Sequence, residues 1–382
     1  MQKLENIKHH YVPEWYQRLF IPPGAKSNNL LLRDLTPERI AHPDGGHHYQ
    51  REVRFRGPNV SFCEENLYRL NFGKQASDII EKNYFGMIDA DGSVSVRAMA
   101  DFEFQKVSGN HLRPFVRYLD AQKLRTPKGL DYLKAEAKTD HDGIAVVLMH
   151  QLSEMHSTIW VEGVWEIFRC DHTVTKLIIS DHPVTVYNRQ IPPTDPLCRY
   201  PYDPGIDLIG TQTLFPLRPD RLLVLSNLQF ARNHWLNGKV QRLNPRMRGD
   251  TIKFLGNILT GRQLNEGEIR AVNYVIMKRA KKFIAASNEE WLYPEHNVKT
   301  KVWSALGGEF FLRPDPRAVG FQGEMYASMK GGSTWGMDEF GRPPNSDDPA
   351  RKAERDAQWE SYVKSSALWD AKRGPPSQSS MP

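Results

Sequence analysis

The feature that most constrains this chain is a change in the spacing of its apolar residues near residue 158. Before it, Tyr84, Phe85 and Ile88, then Leu112, Phe115, Val116 and Leu119, recur at helical intervals. After it, Ile159, Val161, Val164, Trp165 and Ile167 follow the two-residue period of a strand, and Lys176 to Ile179, Val184 to Tyr187, Thr213 to Leu217 and Arg221 to Leu225 continue it. A block of helices followed by a block of strands predicts an α+β fold, a helical layer packed on a small, mostly antiparallel sheet. The spacing divides the chain into a helical region over about 77–157, a sheet region over about 158–226 and late helices over about 246–290, all in one domain spanning 1–330.

Local signals fill in this frame. Pro13 starts a short helix to Phe20, and extended runs lie at Leu30 to Leu35 and Val53 to Phe62, the second broken by Gly57-Pro58. A capping signal at Ser77 to Glu81 opens a helix that Asp91-Gly92 is expected to stop. A longer helix runs to Arg125, where Thr126-Pro127 ends it, and two more follow over 129–138 and 143–156. The proline-dense stretch Ile191 to Gly205 reads as a surface loop, and Asn265 caps a helix expected to reach about Ala286. From Gly331 the composition turns to Gly, Pro, Ser and charge, which predicts a flexible, low-order tail over 331–382 with one surface helix from Pro349 to about Trp369. Trp359, Tyr362 and Val363 would give that helix a face for a protein partner.

With 382 residues the chain can bury a core without staples. Its three cysteines, Cys63, Cys170 and Cys198, are widely spaced and form no Cys-x-x-Cys pair, which argues against a disulfide framework and for a reducing, cytoplasmic setting. The start has no apolar signal-peptide core and the longest apolar runs are far shorter than a membrane span, so a soluble protein with no membrane partner is expected. Of the net charge of +6, the tail holds seven Lys/Arg against eight Asp/Glu, leaving +7 on the body. Basic clusters at Arg51/Arg54/Arg56, Arg242/Arg246/Arg248/Lys253 and Lys278/Arg279/Lys281/Lys282 could meet phosphates or be solvated faces.

No dinucleotide, P-loop, zincin or nucleophile-elbow motif is present. Instead, five short boxes stand out: His9-His10-Tyr11-Val12-Pro13 with Arg18-Leu19-Phe20, Gln122 to Pro127, Ser180-Asp181-His182-Pro183-Val184, Pro216 to Asp220, and Asn273. Their residues and order resemble the family filed as domain of unknown function 4238, over roughly residues 8–290. That resemblance implies no settled activity, and it carries one departure, His182 where the Ser-Asp-x-Pro box is expected to hold Asn.

The boxes nominate a site. His9 and His10 alternate if extended, so one would face the site as base or ligand while the other packs. Asp181, at a strand end, is a general base or metal ligand, with Ser180 beside it, unless the pair only caps an Asx turn. Gln122 and Arg125 share a helical face and would bind substrate, Arg125 as a fork for an anion, with Arg18 as a further contact. Glu81 is a spare carboxylate, and His47-His48 a weaker metal pair. The first box also resembles the opening of a ββα-metal nuclease, with Asn66-Leu67 as a later box, but the final histidine is missing and Pro13 starts a helix. Two functions follow. One is a hydrolase in which His9 or His10 and Asp181, with a divalent metal (candidate ligands His10 and Asp181) or without it, cleave a phosphoester or nucleic-acid substrate. The other is a non-enzymatic module whose basic body binds nucleic acid or a protein.

Overall fold

The computed structural model describes residues 8–42, 46–68, 70–72, 75–77, 84–152, 156–242, 255–321, 325–328, 330–332, 334–338, 342–343 and 348–375. Pro13 separates β1 (Lys8–His10) from the one-turn helix α1 (Glu14–Arg18), and the buried Gln17 amide fixes that turn by donating to the carbonyls of Val12 and Ser61. Seven short strands follow: β2 (Leu30–Asp34), β3 (Arg39–Ala41), β4 (His47–Tyr49), β5 (Val53–Arg56), β6 (Cys63–Glu65), β7 (Leu70–Phe72) and β8 (Gln75–Ser77). The helical layer comprises α2 (Gly86–Ala100), α3 (Gly109–Leu124), α4 (Pro127–Ala137), α5 (Asp142–Gln151) and α6 (Ser157–Glu162). Then come β9 (Val164–Arg169), β10 (Ile179–Ser180), β11 (Thr185–Asn188), β12 (Thr211–Arg218), β13 (Arg221–Ser226), α7 (Leu228–Arg232) and β14 (Leu259–Gln263). The chain continues through α8 (Glu266–Arg279), β15 (Phe283–Ala286), α9 (Pro294–Asn297), the hairpin of β16 (Met325–Ser328) and β17 (Thr334–Met337), and α10 (Pro349–Arg373).

Two sheets organise the α+β body. One has the order β11-β12-β13-β9-β14, antiparallel except where β14 runs parallel to β9. The other, β10-β15-β2-β5, is antiparallel throughout. The first sheet is covered on both faces, which explains the unbroken apolar run of β13. Leu223 and Leu225 face Phe115, Leu119 and Trp165 on the helical side, while Leu222 and Val224 face Val272, Val275 and Ile276 of α8.

The structure departs from the sequence reading in five places. Residues 157–162 are α6, and the strand begins only at Val164. Gly163 makes the corner, since a Cβ there would lie 2.9 Å from the Ser226 carbonyl oxygen. Asp91-Gly92 does not stop α2, because Gly92 is there for contact: a Cβ would meet the Tyr118 ring at 2.6 Å. Ser77 ends β8, and Asp78 to Glu81 of the supposed cap lie outside the described residues. The helix from Asn265 ends at Arg279, and 283–286 form β15, paired with β10 and β2. That pairing draws β10 out of the five-stranded sheet. Of the late helical region, residues 246–254 lie outside the described residues. In the C-terminal segment α10 rests on the body through buried Ser365 and Trp369, and the Trp369 ring meets Phe310 at 4.6 Å. No helix among the described residues is long and apolar enough to cross a membrane.

The Gly92 contact sets a stability test. Alanine gains about 1 kcal/mol of helix propensity over glycine, but the Tyr118 Cβ and Cγ that a new methyl would strike cannot swing aside. Gly92→Ala should therefore lower unfolding free energy by about 1–3 kcal/mol, as overpacking does. Gly109→Ala, with open space around it, should not. Denaturant melts of both variants check this, and an unchanged Gly92→Ala midpoint would refute the contact.

Candidate functional site

The nominated residues come together in part, as scaffolding. His9 is fully buried, its Nδ1 accepts the Tyr68 backbone N–H at 2.9 Å, and its ring stacks on Tyr68. His10 alternates to the other side and stands 3.8 Å from Glu14, whose other oxygen pairs with Arg18. Gln122 donates to the Tyr11 carbonyl at 2.8 Å and accepts from both Nε and Nη2 of Arg125. Arg125 is buried, completes its fork on Asp89 at 2.9 Å and lies over the Phe85 and Tyr118 rings. The Tyr68 hydroxyl closes the lattice by donating to the Arg125 carbonyl. Ser180 Oγ accepts the His182 N–H, and both Asp181 oxygens are taken by the amides of Lys281, Lys282 and Phe283 at 2.6–2.8 Å.

Burial raises the Asp181 carboxyl above its ordinary range while those three donors pull it down. A carboxylate whose two oxygens already accept three amides has little coordination capacity left for a metal. Among the described residues no group of three or more His, Cys, Asp or Glu is placed to hold a metal ion. Glu81, Arg246, Arg248 and Lys253 lie outside the described residues. In the remaining basic clusters, Lys281 pairs with Asp131, Lys282 lies near Asp34 and Glu38, and Arg279 is buried.

A different group of residues, next to the nominated ones in sequence, lines a cavity of about 410 Å³. Only Arg125 and Thr126 separate α3 from α4, the Thr126 hydroxyl capping α4 through the Gly129 N–H, so Lys123 and Lys128 from successive helices face one hollow. Asp203, from the proline-dense loop, serves both: its carboxylate lies 2.7 Å from the Lys128 ammonium and 3.6 Å from that of Lys123. Lys128 also donates to the Arg279 carbonyl. His182 follows Asp181 into this wall, with Nδ1 2.7 Å from Thr126 Oγ1 and Nε2 3.4 Å from Asp203 without hydrogen-bond alignment. On the helical side, His156 lines the same cavity, and its Nδ1 is 2.6 Å from Asp120 Oδ1. Because a carboxylate only accepts, Nδ1 carries the proton and Nε2 presents its lone pair.

A family model described as "Protein of unknown function (DUF4238)" matches residues 8–290. The chain belongs to this family. No curated protein and no solved structure matches it. All of the cavity residues fall within the DUF4238 match, whereas α10 lies beyond it.

The cavity's charges are unequally shared. Burial opposes ionisation of Asp203, yet Lys128 and Lys123 outweigh it and hold the carboxyl well below its usual range. Burial also lowers Lys123, only partly offset by Asp203. Reading for boxes missed Asp120, Lys123, Lys128, His156 and Asp203. A signal was there for two of them: Asp120 stands four residues after Val116 and Lys123 four after Leu119, charged positions on the buried stripe of α3.

Burial pushes His182 down to about 4, against about 6.5 for an unfolded imidazole. Folding thus favours its neutral form, so its contribution is full above about pH 6.5 and is lost between there and about pH 4. His234 is pushed down to about 4 as well, also chiefly by burial, and shares the effect. Unfolding free energy should fall over that window, and His182→Asn should make the fall shallower. Identical slopes for wild type and variant in pH-dependent melts would show that His182 is solvated.

Proposed function

We propose that this chain is a hydrolase of small phosphate esters acting in the cavity between α3, α4, α6 and the 201–207 loop. The observation that carries the reading is the Asp120–His156 pair opening on a hollow that also holds two buried ammonium groups. Asp120 accepts from His156 Nδ1 and orients the imidazole, so that His156 Nε2 takes a proton from water as the water oxygen bonds to phosphorus. The P–O ester bond breaks, and the imidazolium returns the proton to the departing alcohol. Lys123 and Lys128 share a single close carboxylate, so the phosphate oxygens supply the missing counter-charge. An anion there also restores Lys123 toward its ordinary protonation.

The volume favours a small molecule over a nucleic-acid strand, since cavities of about 300–1,000 Å³ enclose ligands of drug size. Exposed Glu136 and half-buried Asp207, which is tied to Gln241, also line the cavity and would disfavour a second anionic group on the substrate. Catalysis thus moves from the nominated His9, His10 and Asp181 to His156, while Arg125 and Gln122 support the helix that carries Asp120 and Lys123.

Turnover of a panel of small aryl and alkyl phosphates by the purified protein tests this. His156→Gln and Asp120→Asn should each lower kcat by about 10²–10⁴-fold, the usual yield of a positioned base, with the melting temperature held within a few degrees for His156→Gln. Unchanged turnover in a folded His156→Gln, or a wild type inert to the whole panel, would end the hydrolase reading.

A further inference from the structure

A second cavity, of about 510 Å³, lies between the end of β11, the turn after α7 and the 304–313 segment. Two arginines line it. Arg313 is 7% exposed, and its Nη1 donates to the Asn233 carbonyl at 2.9 Å and more weakly to that of Phe230, while the guanidinium lies 4.1 Å over the Phe230 ring. These contacts fix the group and occupy one nitrogen. Among the described residues no carboxylate comes within ion-pair distance of Arg313. The acidic group that does act on it, Glu309, is held by Lys372 at 2.6 Å and by His234 at 3.3 Å. Arg189 spends its Nη1 on the carbonyls of Gly308 and Glu309 and has no carboxylate partner among the described residues.

A buried cation without a counter-ion is costly, by several kcal/mol in general. Burial, and next the nearby Arg189 charge, push Arg313 down to about 9, far below an ordinary guanidinium. The fold nevertheless keeps both arginines on one concave wall. His234, on the same wall, has a buried Nδ1 with no hydrogen-bond partner among the described residues. Four aromatic residues, Tyr187, Phe230, Trp235 and Phe311, share the lining with polar Asn188, Gln190 and Gln212 and with Glu309, whose carboxylate is engaged by Lys372 and His234. Guanidinium forks match planar oxyanions, and aromatic walls match flat apolar bodies.

We propose that this cavity binds an organic anion, a carboxylate or phosphate-type group joined to a flat apolar body, whose oxygens complete Arg313 and Arg189. The site is separate from the hydrolase cavity and does not depend on that reading. The proposal is one of binding alone, in which the ligand is an effector or a cargo and is released unchanged.

Calorimetric titration of the full chain with benzoate, phenylphosphonate and inorganic phosphate tests the proposal, the phosphonate being resistant to hydrolysis. One of the two aromatic anions should bind at least 10-fold more tightly than inorganic phosphate, and the tighter one identifies the oxyanion. Arg189→Met, at a partly exposed position that should leave the fold intact, and Arg313→Met should each weaken that binding at least 10-fold. Lys128→Met should leave it unchanged. Failure of both aromatic anions to bind at millimolar concentration overturns the site, as does binding that survives Arg189→Met. Binding that vanishes with Lys128→Met assigns the anion to the other cavity and equally overturns it.

Discussion

One carboxylate holds the two sheets and the helical layer in register. As the chain leaves α8 it passes through Lys281, Lys282 and Phe283, whose amides no longer belong to the helix. Asp181 accepts all three, and its own amide donates to the Phe283 carbonyl. Without that side chain, three consecutive backbone donors would lose their common acceptor. The arrangement fixes β15 between β10 and β2, and it places His182 against Thr126, where α3 gives way to α4. The cavity exists because the strand end and the helix junction are pinned to the same point.

Buried charge then gives the cavity its character. Lys123, Lys128, His182 and Asp203 form a network in which each partner is insufficient for the next. Lys128 satisfies its ammonium on Asp203 and a carbonyl, and Lys123 receives only the more distant oxygen. At low effective dielectric such an imbalance is stronger than it would be in water. A ligand carrying a negative group removes it, whereas an apolar ligand of the same size leaves it in place. The Arg125 cluster shows the opposite design. There Gln122, Asp89 and two aromatic rings close every face of the guanidinium, and nothing remains for a substrate.

The sequence made the class legible because the apolar period changes where the architecture does. The α3 stripe of Leu112, Phe115, Val116 and Leu119 is a local pattern that burial on one fixed side imposes, and the unbroken apolar run of β13 is one that burial on both faces imposes. What local pattern could not reveal was partnership. Ile159 and Val161 alternate like a strand but sit in α6, because the helix is a single turn stopped by the close approach of the Ser226 carbonyl at Gly163. Ile284 continues the apolar rhythm of α8 yet belongs to β15, since the three amides captured by Asp181 end the helix from outside. The boxes border the cavity, but the side chains nominated from them do not line it. Gln122 and Asp181 point into scaffolding, and the adjacent Lys123 and His182 reach the hollow, a difference of one residue that only packing decides.

The proline-dense segment shows how a loop becomes part of a site. A stretch with Pro192, Pro193, Pro196, Pro201 and Pro204 cannot supply a regular ladder of donors, so its order has to come from side chains. Asp195 caps a short turn through the Leu197 amide and pairs with Lys239 at 3.1 Å. Tyr200 donates to Asp131 on α4, and Arg279 reaches the Ile191 carbonyl. Lys128 then holds Asp203 and the Arg279 carbonyl together. The same segment starts beside the second cavity, where the Asn188 carbonyl accepts from the Trp303 indole and its amide donates to the Gly238 carbonyl. Polar contacts to rigid elements, spaced every few residues, thus tie down backbone that has few hydrogen bonds of its own. Loops ordered in this way present side chains with little further loss of entropy on binding. That is why Asp203 can serve as a fixed electrostatic element although its local sequence has the composition of a surface turn.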